Sequence, residues 1–536
     1  MRRSLYRYLV CLHPAVFRER FGEEMLWIFD EAGGQEERRL LTDAFISLLR
    51  QWMLRSGIWR MASSALVSSL LLFSWWHSQE SSLDKALRRE NPGQLAEARQ
   101  RFLTEHRTVA GLDGIFEGTV QAAAPTTSNG WPIRPIDVSP RIAALKLRLE
   151  TGDRRALDEF WLEAARTSTP LIEPAKDGAH DVIVTFVWRG EASTQSVGLL
   201  APLLKKPGLP NLPLDRLLDT NLWYANWQIR DDLRFTYRFV TNVKPGDKYL
   251  QQDAKLDPLN PHNIEVSYDE GATTTEFSVA AMPRALDESW IVRQPSVPAG
   301  RVENAQFKSA ILGNEREISV YTPPGYNEKD QSGYRLLILF DGFFYRNSIP
   351  TPTILDNLIH AGKVPPIVVV MIDNPGKFRV SELGYNPAFE EFMSKEVLPW
   401  IHEHWNVTRD PRKSIVGGLS MGGSAAAFVA MRRPEVFGNV LSQSGAFADG
   451  IGKDVKWEWL ASQYEASPKL SIRFFIEEGL LEDVSREGPT GVAANRHLAQ
   501  ILKNKGYVVN YEEVGGSHEP VHWRGALVEG LIWLTK

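Results

Sequence analysis

Apolar and polar residues are distributed along this chain in several distinct patterns. The run Gly57–Trp76 is dominated by apolar and small residues, and from Met61 onward sixteen residues pass without a charge. That is short of the ~20 that span a bilayer comfortably. Arg60 can snorkel, and Trp59, Trp75 and Trp76 suit the two interfaces. The pattern predicts one transmembrane helix over 57–77, with a buried or interfacial helix as the alternative. Residues 1–56 read as an amphipathic helical prefix containing Arg2, Arg3, Arg7, Arg18, Arg20, Arg38, Arg39, Arg50 and Arg55. Arginine on that side predicts a cytoplasmic prefix and an extracytoplasmic remainder, with single-pass placement in an inner membrane. Residues 78–138, a charged helical piece followed by small and turn residues, read as stalk and linker.

From residue 139 the pattern changes. A helix pair is predicted from apolar positions Ile142, Leu145, Leu147, Leu157, Phe160, Trp161 and Ala164. Strands follow: Val182–Trp188 and Leu222–Trp227 are apolar runs, and Leu233–Phe239 alternates with period two. Short strands between turn signals predict a β-sandwich over 139–284. Pro283–Gly300 reads as a linker. Beyond it, apolar strands Leu336–Phe340, Ile367–Ile372, Ser414–Val416, Phe437–Ser442 and Ile472–Ile476 are separated by helices such as Phe389–Trp405 and Asn495–Lys505. Buried strands alternating with helices predict a parallel α/β sheet covered on both faces, over 297–536.

Totals narrow the chemistry. Among 536 residues the hydrophobic share is 43% and the charged share 24%, as in ordinary globular proteins. A net charge of −5 gives no reason to expect nucleic-acid binding. The single cysteine, Cys11, excludes an intrachain disulfide. Neither CxxC nor HExxH occurs, so no metal or cofactor is expected.

One stretch carries chemistry. Lys413–Ala427 runs from β-branched residues into Gly418-Leu419-Ser420-Met421-Gly422 and then into small helix formers. A loose G-x-S-x-G arises by accident in roughly 0.2 of chains this long, so its context decides. A strand before and a helix after are the context of a nucleophile elbow, in which the serine is lifted over the sheet at a helix N-terminus. An acid and then a histidine should follow. After the strand Ile472–Ile476 the chain offers Glu482 first and Asp483 as the alternative. Near the C-terminus, His518 sits in the glycine-bracketed loop Val514–Arg524, while His522 reads as a packing or rim residue. The N–H of Met421 and that of Phe343, after the strand Leu336–Phe340, fit an oxyanion hole. Asp341 reads as a turn-forming acid.

These residues also carry a resemblance. Tyr321–Tyr326, Phe340-Asp341-Gly342, Arg379–Leu383, Leu398-Pro399-Trp400, Gly418–Gly423, Leu441–Gly445, Gly515-Gly516, His518 and Trp523-Arg524 resemble the esterase family that includes the enterochelin (enterobactin) esterases. Ser139-Pro140-Arg141, Val184–Arg189, Trp223-Tyr224 and Asp257–Pro261 resemble the N-terminal domain of the same enzymes. The likeness covers roughly residues 139–536. It implies an α/β-hydrolase catalytic domain preceded by a β-sandwich, and places Arg379 and Trp523 with the substrate. Where the family often reads Gly-Gly-His-Asp, this chain inserts Ser517 and has Glu519. Residues 5–25 resemble the prefix of macrolide-export-type bacterial permeases, which implies a transporter as a neighbour.

The expectation is a membrane-anchored serine esterase: Ser420 as nucleophile, His518 as base, Glu482 orienting it, and a siderophore ester, free or ferric, as substrate. An esterase for carbohydrate-linked acyl groups and a non-catalytic membrane-anchored binding protein are the competing readings.

Overall fold

The computed structural model describes residues 134–536 except 176–179, 202–211, 243–252, 268–273, 450–456 and 484–487. The expected prefix and transmembrane helix, and the expected stalk up to residue 133, lie outside the described residues; the end of the stalk range is corrected, since Arg134–Ile136 is a strand paired into the sandwich. Among the described residues no helix is long and apolar enough to cross a membrane.

The first half contains strands β1 (Arg134–Ile136), β2 (Leu171–Pro174), β3 (Asp181–Arg189), β4 (Val197–Leu200), β5 (Leu212–Pro213), β6 (Asp215–Arg216), β7 (Leu222–Arg230), β8 (Arg234–Thr241), β9 (Asn263–Val266) and β10 (Thr275–Ala281). They form two antiparallel sheets. One has the order β1-β7-β3-β2 with β6 also on β7, and the other β5-β4-β8-β10-β9. Val184, Phe186, Trp227, Phe235, Tyr237 and Phe239 fill the space between them. The outer face of the first sheet is covered by helices Pro140–Glu150 and Ala156–Thr167, whose Ile142, Phe160 and Trp161 pack on Val187 and Tyr224. Strand β3 is apolar on both faces because both faces are buried. The first helix starts on Ser139, whose hydroxyl accepts the Ile142 N–H, with Pro140 as its first residue. Leu147, expected on the buried stripe, is 63% exposed; it falls off the line of Ile142, Leu145 and Leu149.

Strand β8 departs from expectation in an informative way. Its period-two pattern predicts one solvated face, yet Arg234 through Val240 are all buried. The polar side is covered by the second half of the chain. The sheet's neighbouring residues Ile264, Val266, Phe277 and Val279 join a core with Leu355, Val521 and Trp523. The two halves therefore share apolar packing.

The second half adds β11 (Arg301–Ser309), β12 (Asn314–Thr322), β13 (Arg335–Phe340), β14 (Ile367–Ile372), β15 (Ser414–Leu419), β16 (Asn439–Gln443), β17 (Arg473–Gly479) and β18 (Val508–Val514). They build one eight-stranded sheet in the order β11-β12-β14-β13-β15-β16-β17-β18. Strands β13 to β18 are parallel, as expected, but β11 and β12 form an antiparallel hairpin joined to β14. Helices cover both faces. The expected helix Phe389–Trp405 is present as one continuous helical run, Pro387–Phe392, a π-turn over Met393–Val397 and Leu398–His404. Pro399 explains the π-turn: it has no N–H for the preceding turn and its ring crowds the carbonyl there.

Candidate active site

Strand β15 ends at Leu419, and helix Met421–Arg432 begins one residue later. Ser420 fills the gap with φ 56° and ψ −124°, a strained backbone for a residue with a Cβ. The surroundings enforce it. The Ser420 N–H donates to the Gln443 carbonyl at 2.8 Å, and the Ser420 carbonyl accepts from Gly423 at 3.0 Å and Ala446 at 3.0 Å. A Cβ on Gly418 would lie 2.5 Å from the Gly422 backbone, so the turn closes only with glycine there. Likewise a Cβ on Gly422 would meet the Asp341 carboxylate at 2.8 Å.

Glu482 follows β17, and His518 lies in the loop between β18 and helix Pro520–Thr535. Glu482 Oε2 stands 2.5 Å from His518 Nδ1. Its other oxygen accepts the Ser444 hydroxyl at 2.6 Å and the Gly479 N–H at 3.3 Å. Burial alone would raise this carboxyl, but the charge and hydrogen bond of His518 outweigh it and hold the group below the ordinary carboxylate value. An ionised carboxylate only accepts, so the proton of neutral His518 sits on Nδ1. Nε2 then keeps the lone pair that a base needs. Asp483 accepts instead from the Thr490 hydroxyl at 2.6 Å, a capping contact away from His518.

Met421 and Phe343 both lie in the first turn of a helix, Met421–Arg432 and Gly342–Asn347. Amides there have no carbonyl one turn back to bind. The second helix is set by Asp341, which is left-handed at φ 57°. Gly342 is required behind it, since a Cβ would stand 2.6 Å from the Met371 backbone.

Two expected substrate contacts are corrected. Arg379 is 2% exposed, and its Nε and Nη2 donate to the two Asp341 oxygens at 2.7 and 2.9 Å. This fork-to-fork pair consumes the face of the guanidinium that a ligand would need. Arg379 braces the Phe340-Asp341-Gly342 turn. Trp523 is 0% exposed. Its indole edge lies against the His518 ring, with centroids 4.9 Å apart and planes at 86°. It sits behind the histidine because helix Pro520–Thr535 turns that face into the core.

The sequence did not single out Ser444 as part of the site. It has positive φ, 46°, just after β16, and the Ser-Gly pair at the C-terminal end of a buried strand is the signal that could have found it. His522 is buried, with Nε2 2.8 Å from Glu477 Oε1. Burial would lower its pKa, but Glu477 raises it above the ordinary imidazole value. It is a packing residue as expected, and an ion-paired one. Among the described residues no group of three or more His, Cys, Asp or Glu is arranged to hold a metal.

Fold and site together define a carboxylic ester hydrolase of the α/β-hydrolase kind. Residues 309–534 match the family described as Putative esterase, and residues 183–291 match the family described as Enterochelin esterase, N-terminal. Both matches fall on one chain, the N-terminal one ahead of the esterase one. The iron(III) enterobactin esterase of Dickeya dadantii is 27% identical over 423 residues, which cover 70% of this chain and 92% of that one. The iron(III) salmochelin esterase of Escherichia coli is 25% identical, covering 73% of this chain and 96% of the relative. A crystal structure of the enterobactin esterase from Shigella flexneri, in the presence of enterobactin, superposes with a TM-score of 0.57 at 25% identity, covering 70% of this chain and 97% of that one.

Proposed function

We propose that the protein hydrolyses the ester bonds of a catecholate siderophore lactone, free or iron-loaded, through Ser420, His518 and Glu482. The observation that carries this reading is the 2.5 Å contact of Glu482 with His518 Nδ1, beside an elbow serine at positive φ. In this mechanism His518 Nε2 takes the Ser420 proton as Oγ attacks the ester carbonyl. The oxyanion forms against the N–H groups of Met421 and Phe343. The alcohol leaves with the proton from His518, and water then cleaves the acyl-enzyme by the same steps. The names of the relatives, enterobactin and salmochelin esterases, support the substrate class.

The test is a panel of esters with chromatographic product analysis. Catecholate trilactone, with and without iron, is compared with acetylated and feruloylated sugars. Release of linear catecholate esters, lost in Ser420→Ala by on the order of 10⁴-fold or more, is expected. Turnover of the sugars alone would overturn the substrate assignment. Covalent labelling by a fluorophosphonate that is absent in Ser420→Ala separates an enzyme from a binding protein.

We further propose that Gly57–Trp76 anchors the chain in an inner membrane with the esterase outside the cytoplasm. The arginines before the segment support it, and the permease-like prefix is consistent with a neighbouring transporter. Protease added to spheroplasts is expected to digest residues 80–536. Protection of the esterase would overturn the placement.

A further inference from the structure

The loop that carries His518 is not held by the catalytic half alone. The first and last residues of Gly515–Glu519 each meet strand β8 of the sandwich. The Arg234 N–H donates to the Gly515 carbonyl at 3.2 Å. Two residues along the same strand, the Thr236 N–H and hydroxyl donate to Glu519 Oε2 at 2.9 and 2.6 Å. Residues two apart on a strand face the same side, so Arg234 and Thr236 present one edge to both ends of the loop. The other Glu519 oxygen accepts the Ser517 hydroxyl. The backbones approach closely: a Cβ on Gly515 would stand 2.5 Å from the Asp232 carbonyl. On the opposite side, Leu481 N–H donates to the Gly516 carbonyl at 3.0 Å, next to Glu482.

His518 therefore lies in a segment whose two ends are fixed to the sandwich while its ring is fixed to Glu482. The carboxylate of Glu519, in a residue 3% exposed, is buried against Thr236. Water cannot readily stand in for the Thr236 hydroxyl, and losing that donor leaves a buried charge undersatisfied. The local way to relieve this is for Glu519 to shift, and His518 is its immediate neighbour in the chain. We infer that the sandwich domain completes the catalytic geometry: Thr236 and Glu519 are positioning residues that hold His518 in register with Glu482 and Ser420. This rests on the proposed roles of Ser420 and His518. It gives the sandwich a part in the chemistry itself, independent of any contact it makes with substrate.

The size of the effect follows from geometry, since a misplacement of about 1 Å can cost on the order of 10²-fold in rate. The test uses the full chain and two substrates: a small activated acetyl ester and a catecholate lactone. Thr236→Val keeps the β-branch and the backbone N–H but removes the hydroxyl. It is expected to lower kcat at least about 10-fold on both esters, leave KM within about twofold, and slow fluorophosphonate labelling in proportion. Thr236→Ser should restore kcat. Glu519→Gln is the second variant, with the same expected pattern, should Thr236→Val fold poorly by circular dichroism. A defect on the lactone alone, with the small ester spared, would overturn the inference in favour of a substrate-binding role. Wild-type kcat in both variants would also overturn it. If Ser420→Ala keeps its activity, the proposed nucleophile is wrong; wild-type rates in Thr236→Val beside a dead Ser420→Ala count against the positioning role alone.

Discussion

Trp523 donates its indole N–H to the Ser444 hydroxyl at 2.8 Å from a fully buried position. The Ser444 hydroxyl donates to Glu482 Oε1 at 2.6 Å, and Glu482 Oε2 accepts the Nδ1–H of His518. Every bond in this series has one donor direction, which fixes the hydroxyl rotor and the imidazole tautomer together. Ser444→Ala should lower kcat about 10-fold with little change in KM, because Glu482 loses one of the contacts that hold it ionised. Trp523→Phe keeps the ring against His518 and removes only the donor, so a loss of a few-fold is expected. Steady-state kinetics check both. A rise in KM as the main effect in Trp523→Phe would return that residue to the substrate.

The two acids after β17 can be told apart by amide substitution. Glu482→Gln should reduce kcat by about 10³-fold or more, since an amide facing Nδ1 can hold the wrong tautomer. Asp483→Asn should be mild, because Asp483 serves the Thr490 hydroxyl. The reverse ranking would move the role to Asp483. Two mild effects would point to a serine–histidine dyad.

Arg379 offers a stability test. Arg379→Met leaves the Asp341 carboxylate, 4% exposed, without its partner. Removing one member of a buried pair costs roughly 3–5 kcal/mol, to be read as a lower denaturant midpoint. An unchanged midpoint with a raised KM would show that Arg379 meets substrate after all.

The His522–Glu477 pair predicts a pH dependence. His522 is raised above its ordinary value of 6.5, with burial opposing and Glu477 driving the shift. Glu477 is raised as well, by burial first. The folded pair holds its proton more tightly than the unfolded chain does. The His522-linked stability is therefore complete below about 6.5 and is lost as pH rises through the elevated value. Unfolding free energies of wild type and His522→Gln, compared from neutral to alkaline pH, should converge. A gap that widens toward alkaline pH would reverse this reading.

The elbow, the acid and the histidine were legible because each depends on local chemistry: glycines around a serine, carboxylates after a strand, a histidine in a flexible loop. The parallel sheet was legible because doubly buried strands leave continuous apolar runs. What was not legible depends on pairing across the fold. Arg379 and Trp523 lie in motifs that resemble those of esterases, but a sequence does not say whether a motif faces the pocket or supports it from behind. Strand β8 read as half-solvated because its arginines and threonine are polar; only the catalytic half, docked on that face, makes them interior. The hairpin β11–β12 was hidden because its polar, exposed first strand lacks the apolar run of its neighbours. The substitution of Glu519 at a position where a shorter acid is usual has its partner, Thr236, 283 residues away.

The apolar packing common to Ile264, Phe277, Val521 and Trp523 has a consequence for inheritance. The halves of this chain are not interchangeable modules. An esterase half taken from a relative would bring its own histidine loop to a β8 surface shaped for Glu519, and a sandwich half would bring its own residue in place of Thr236. Divergence across this junction is expected to proceed by matched changes on both sides. Chimeras cut within the 283–300 linker take the residues equivalent to Thr236 and Glu519 from different parents, and should recover activity only when one of the two is then changed to match its new partner.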